Sequence, residues 1–359
     1  METIGIGNKG KQLTRTRHTQ MRHLRANGFE FAPTLPTQSA PVLPRGLKEW
    51  RANSLPYSMP AGVTDESTPA RRELSRLMNL IAKSETGRTL LAAARRARIW
   101  VTYDDDQDSN AYFDDLANYI AIKRKVNPDG TFPPRTRMPA LGGLVAALSH
   151  ELRHGWQSTR GDYFKMTRYR PADAALIKRH LEADAEAVAA QIAWELKEQG
   201  WDRAWTTDHA WFADMYQSFE REVTRRKASL KDGRAVAAAH QQWFRNRERV
   251  DFYDRWTLAW WKIDFDAIGP QLPLKHVKAQ SLRKLGALGK GLNYMKHTSF
   301  PHPISPPFTL PFTDKAREMA DSRNQALRNR IKYRPRTHRP ILPPAPLDKR
   351  APVAKPPRP

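Results

Sequence analysis

His150 and His154 stand four residues apart, and Glu151 follows the first of them. On a helix, residues at i and i+4 lie on one face, one turn apart. Two imidazoles so placed can reach the same metal ion at about 2.0–2.1 Å. Glu151 sits about 100° further round such a helix, so its carboxylate falls beside the metal, where it can take a proton from water. The five residues His150-Glu151-Leu152-Arg153-His154 thus spell HExxH, a pattern with a hydrolytic mechanism attached. Leu141, Leu144, Val145, Leu148, Leu152 and Trp156 recur at helical spacing, which predicts a helix over 141–157.

A catalytic zinc usually takes three protein ligands and keeps one position for water. The chain has no Cys, which excludes thiolate zinc sites, iron–sulfur clusters, disulfides and a cysteine nucleophile. The third ligand must therefore be His, Asp or Glu. A second helix is predicted from Pro171 to about Gln199 by the stripe Ile177, Leu181, Ala185, Val188, Ile192 and Leu196. It carries Glu182, the expected third ligand. Ala185 and Ala189 on its side are small enough to let two helices close around one ion. Glu186, one turn on, is placed to hydrogen-bond a ligating histidine. Asp184 and His180 face elsewhere on an ideal helix and are weaker candidates.

The elements before the motif are legible in outline. Thr68-Pro69 reads as a helix start, with Leu74, Leu77, Met78 and Ile81 as its buried stripe. A short helix follows from Glu85 to about Arg96. Arg98–Tyr103 and Asn118–Lys123 read as strands, separated by an acidic loop. The expected fold class is therefore α+β: mainly helical, with a small sheet before the HExxH helix.

Charge and proline are unevenly spread. The chain of 359 residues holds 61 Lys+Arg against 37 Asp+Glu, a net charge of +24. Residues 270–359 alone hold 19 Lys+Arg against 4 Asp+Glu, and 16 of the 28 prolines. Such a segment cannot bury enough apolar surface to fold by itself. The expected division is a basic, proline-containing disordered region over 1–65, a folded domain over 66–269 with aromatic-rich C-terminal helices, and a basic, largely disordered tail over 270–359. One short helix is expected in the tail, from Thr313 to about Lys332. The basic ends suit non-specific contact with polyanions or nucleic acid. No apolar run is long enough to span a bilayer and no signal-like segment is visible, so a cytoplasmic protein is expected, leaderless export aside.

The segment Ser149-His-Glu-Leu-Arg-His154-Gly-Trp-Gln157, followed by Leu181-Glu-Ala-Asp-Ala185, resembles a group of uncharacterised bacterial metallopeptidase domains. HExxH on one helix with Glu on the next is similar to the gluzincin type of zincin metallopeptidase. The run from Glu182 to Ala189 is also similar to the third-ligand helix of small bacterial peptidases that cleave repressors, which typically carry Asn where Glu186 stands. The metzincin pattern is absent, since Gln157 and Arg160 occupy its Gly and His positions. The resemblance implies a zincin-like core and a strand edge beside the motif helix that aligns a peptide or protein substrate. Asn118–Lys123 is the candidate for that strand. The function expected is zinc-dependent peptide hydrolysis with one Zn²⁺ per chain, held by His150, His154 and Glu182, and with Glu151 as general base. The alternative is a catalytically silent module of the same shape whose basic tails bind nucleic acid or acidic partners. A silent scaffold has no need of Glu151.

Other features are weaker. Arg153, Tyr163, Tyr169, His209 and His240 are all conceivable donors to an oxyanion. Asp104, Asp106, Asp108, Asn110 and Asp115 approach the spacing of a calcium loop, but Ser109 stands where the turn needs Gly. An aromatic-rich helix over 235–265 is expected to pack across the core.

Overall fold

The computed structural model describes residues 68–104, 111–123, 139–161, 165–207, 212–268, 275–289 and 291–298, with four further helical positions, Glu318, Ser322, Gln325 and Asn329. In chain order the elements are α1 (Pro69–Ile81), α2 (Glu85–Ala97), β1 (Trp100–Tyr103), β2 (Ala111–Asp114), β3 (Tyr119–Ile122), α3 (Pro139–Ser158) and α4 (Pro171–Lys197). There follow α5 (Arg203–Thr206), α6 (Ala213–Arg225), α7 (Ser229–Asp232), α8 (Arg234–Trp243), α9 (Arg247–Ile268), α10 (Ala279–Arg283), β4 (Ala287–Gly289) and β5 (Leu292–Asn293). The architecture is α+β, mostly helical with a small sheet.

Local chemistry sets the early boundaries. Thr68 caps α1 by accepting from Arg71 N at 3.2 Å, and Ser84 caps α2 by accepting from Gly87 N at 2.7 Å. Arg98 ends α2 in the left-handed region at φ 59°. Asn118, also at φ 59°, sends its side-chain amide to Ala97 O at 2.7 Å and Arg98 O at 3.1 Å. It thereby ties the sheet to the end of α2 and satisfies carbonyls the helix leaves open.

The sheet order is β1-β3-β2, with β3 parallel to β1 and antiparallel to β2. This corrects the expectation of a substrate-aligning strand at Asn118–Lys123. Tyr119–Ile122 is the central strand, and its backbone is paired on both sides. The sequence hid the third strand because Ala111–Asp114 is short and leaves an acidic loop. What folds it back is Asp114, whose Oδ1 accepts from Leu116 N and Ala117 N, each at 2.8 Å. The edges are β1 and β2, and β2 packs directly on α3.

Helix α4 is the centre of the molecule. It is buried on nearly every side, with α2, α3, α8 and α9 packed around it. An all-round buried helix needs partners for its polar groups. Arg179 finds Asp254 on α9, its Nε 2.6 Å from Oδ1, and Lys178 finds Glu182. Helix α3 lies between α4 and the sheet. Gly155 allows that approach, since a Cβ there would stand 2.6 Å from Ile99 Cδ1 and 3.8 Å from Phe113 Cε2.

Two further expectations change. The aromatic-rich stretch expected as one helix over 235–265 is two, α8 and α9. Asn246 starts the second, its Oδ1 accepting from Arg249 N at 3.0 Å. The core also passes the boundary expected at residue 269. Leu282, Leu285, Tyr294 and Met295 are all buried in the main hydrophobic cluster. Local charge and proline content dominated the sequence reading there, while these four apolar residues find their partners only in three dimensions. The helix expected over 313–332 lies outside the described residues but for the four helical positions. Residues 1–65 also lie outside them. Among the described residues, no helix is long and apolar enough to cross a membrane.

Candidate metal centre

Two helices build the site. The four-residue spacing on α3 sets His150 and His154 side by side, with Nε2 to Nε2 at 3.0 Å. Helix α4 brings Glu182 against both, its Oε2 at 3.4 Å from His150 Nε2 and its Oε1 at 3.3 Å from His154 Nε2. Among the described residues, these three form the group of His and acidic side chains able to hold one ion. The geometry can be tested against the ion expected. Ligands at about 2.05 Å in a tetrahedron stand about 3.3 Å from one another. The observed contacts of 3.0, 3.4 and 3.3 Å are of that size, with Oε2 of Glu182 facing His150 and Oε1 facing His154.

The outer nitrogens are held too. His150 Nδ1 lies 3.0 Å from Glu186 Oε2, and His154 Nδ1 lies 2.7 Å from Gln157 Oε1. Both contacts are to acceptor oxygens, so each Nδ1 donates and Nε2 is the ring nitrogen that faces the cluster, the atom that would meet a metal once it carries no proton. Glu186 thus stands where the sequence placed it, against a histidine of the pair.

Charge is concentrated here. Burial by itself would lower the His150 imidazolium, but hydrogen bonds to Glu182 and Glu186 and the Glu151 charge hold it well above the ordinary value. Burial would raise the Glu182 carboxyl, yet Lys178 and His154 hold it well below the carboxylate range. Lys178 Nζ is 2.5 Å from Glu182 Oε1 and 4.7 Å from the centroid of Trp256. Two phenols, Tyr216 buried and Tyr253 half-buried, complete the shell. Burial first, then the Glu182 charge, pushes up Tyr253; burial, then the Glu186 charge, pushes up Tyr216. Glu151 is buried, and its Oε2 has no hydrogen-bond partner among the described residues.

The weaker candidates fall away from the centre. His180 Nδ1 lies 3.4 Å from His240 Nε2 in a stacked pair, and Asp184 pairs with Arg153, Oδ2 to Nε at 2.7 Å. Arg153 and His240, both conceivable oxyanion donors, are therefore engaged elsewhere, and Tyr169 is buried in the core. Tyr163 and His209 lie outside the described residues, as do Asp106, Asp108 and Asn110 of the calcium-like loop. Asp104 of that loop accepts from Tyr112 Oη at 3.1 Å.

Four groups at the site escaped the sequence. Gln157 and Lys178 were detectable in principle, three residues after His154 and four before Glu182 on the same helices. Tyr216 and Tyr253 carried no signal, because they arrive from α6 and α9.

Neither the curated proteins nor the solved structures contain a match to this chain. A family model does match, over residues 52–295, a span that takes in both helices of the candidate metal centre and the core residues up to Met295. By that match the chain belongs to the Putative metallopeptidase family (DUF6782).

Proposed function

We propose that the protein is a zinc-dependent peptidase with one Zn²⁺ per chain, held by His150, His154 and Glu182, and with Glu151 as general base. The observation that carries this reading is the cluster of His150, His154 and Glu182 at contacts of 3.0–3.4 Å, with a buried Glu151 oxygen, unpartnered among the described residues, next in the chain. A zinc ion bound there would polarise the scissile carbonyl and bring the pKa of a water towards ~7. Glu151 then accepts the proton of the attacking water and returns it to the leaving amine. Glu186 and Gln157 keep the imidazoles facing inwards.

The substrate in this reading is a peptide or protein segment. We place it along β2, the edge strand that packs on α3, because an edge offers unpaired backbone groups to an extended chain. A motif helix between that sheet and the helix bearing Glu182 is also the arrangement expected of a zincin-like core.

The test is metal analysis with a peptide-cleavage assay on the purified chain, before and after chelation. The reading predicts one zinc per chain, cleavage of unfolded protein substrates, and loss of cleavage with the metal. A native protein without zinc, or cleavage that persists in Glu151→Gln, overturns it.

A further inference from the structure

Asp184 is fully buried, and its carboxylate is saturated. Its Oδ1 accepts from Arg153 Nη2 at 2.9 Å and from Tyr294 Oη at 2.7 Å. Its Oδ2 accepts from Arg153 Nε and from Gln157 Nε2, each at 2.7 Å. Arg153 turns two further donors to carbonyls far along the chain, Ala287 O at 3.0 Å from Nη1 and Leu285 O at 2.5 Å from Nη2.

The consequence falls on Gln157. Its amide nitrogen lies between two acceptors, Asp184 Oδ2 and Leu181 O, the latter at 2.9 Å. Only an NH₂ group satisfies both. A flipped amide would set its carbonyl oxygen against a carboxylate and a carbonyl, with no proton to share in a buried site. The Gln157 oxygen must therefore face His154 Nδ1, at 2.7 Å, and that nitrogen must carry the hydrogen. His154 is left with its lone pair on Nε2, towards His150 and Glu182. His150 needs no such relay, because its Nδ1 meets the carboxylate Glu186 directly.

We propose that Leu285, Ala287 and Tyr294 form a positioning element of the metal centre, which holds Asp184 so that Gln157 can select the metal-binding tautomer of His154. This rests on the reading of His154 as a metal ligand. Tyr294 is the residue that reports on it. Its ring is buried in the core, so Tyr294→Phe keeps the packing and removes only one of the hydrogen bonds that Asp184 accepts.

The experiment is a competition titration with Zn²⁺ on the full chain, with thermal melting measured alongside. Gln157→Leu should weaken zinc binding about 10–100-fold. Tyr294→Phe should weaken it by a smaller factor in the wild-type background and not at all in the Gln157→Leu background, because the relay is already cut. A residue that matters only for the fold would lower the melting point and leave zinc affinity alone, or would weaken binding equally in both backgrounds. Either result overturns the proposal. Should Gln157→Leu fail to fold, Gln157→Met serves as the second background, and unchanged affinity in Tyr294→Phe alone is still decisive. Absence of zinc from the wild-type protein overturns instead the ligand reading beneath it.

Discussion

Glu186 Oε2 lies 3.0 Å from Nδ1 of His150, on the side of the ring away from His154 and Glu182. A carboxylate there fixes the tautomer and makes the ring a better donor to a metal. Replacing Glu186 with Ala should weaken zinc binding about 10–100-fold, while Glu186→Gln, whose amide oxygen still accepts from Nδ1, should cost less. Calorimetric or competition titration with Zn²⁺ gives the comparison. Equal affinities in all three proteins would exclude the role.

The ligand cluster predicts stoichiometry. The wild-type chain should carry one zinc, and His154→Ala and Glu182→Ala should each lose most of it, since two ligands rarely hold zinc against a chelator. Elemental analysis after dialysis reads this directly. Undiminished zinc in either variant would mean that the metal sits elsewhere.

Glu151→Gln separates binding from chemistry. The amide has nearly the same shape, so fold and zinc should persist, but it cannot accept a proton. Cleavage should fall by about 10²–10⁴-fold, the usual worth of a general base. Steady-state assays at matched zinc content decide it.

His240 predicts a pH dependence. Burial pushes its imidazole down to about 4, although nearby Asp184 opposes the shift. A base whose folded value lies below its unfolded value near 6.5 binds more protons when unfolded, so stability falls as pH drops from that value towards about 4. The loss attributable to this group is about 3 kcal/mol at most. Denaturant unfolding of wild type and His240→Gln between those limits should show the variant losing less. Parallel curves for the two proteins would refute this.

The reach of the core beyond residue 269 predicts that a chain cut there fails. It would lack Leu282, Leu285, Tyr294 and Met295, which are all buried. At about 2–5 kcal/mol for each large core side chain, the loss matches or exceeds a typical domain's stability of about 5–15 kcal/mol. Residues 52–298, which include the span matched by the family model, should melt cooperatively, whereas 66–269 should not. Circular dichroism melts of both distinguish the cases.

How much of this was legible in the residues follows from range. His150, Glu151 and His154 are set by spacing on a single helix, and so is the pairing of Glu182 with Glu186 on the next. Periodicity also marked α1, α2, α3 and α4 to within a few residues, because amphipathic stripes and caps such as Thr68 are local. The meeting of the α3 histidines with Glu182 of α4 at 3.3–3.4 Å belongs to tertiary packing, which decided that Glu182 faces the histidines and that Asp184 turns to Arg153. Tyr253, Tyr216 and Tyr294 come from elements distant in sequence, and no local pattern announces them. The central position of β3 likewise depends on a short third strand held by one Asp114 turn. Chain spacing marked His150, Glu151, His154 and Glu182 as the candidates for the chemistry. The packing around α4 decided which of them meet, because a polar group inside a wholly buried helix must find its partner on whichever element covers it.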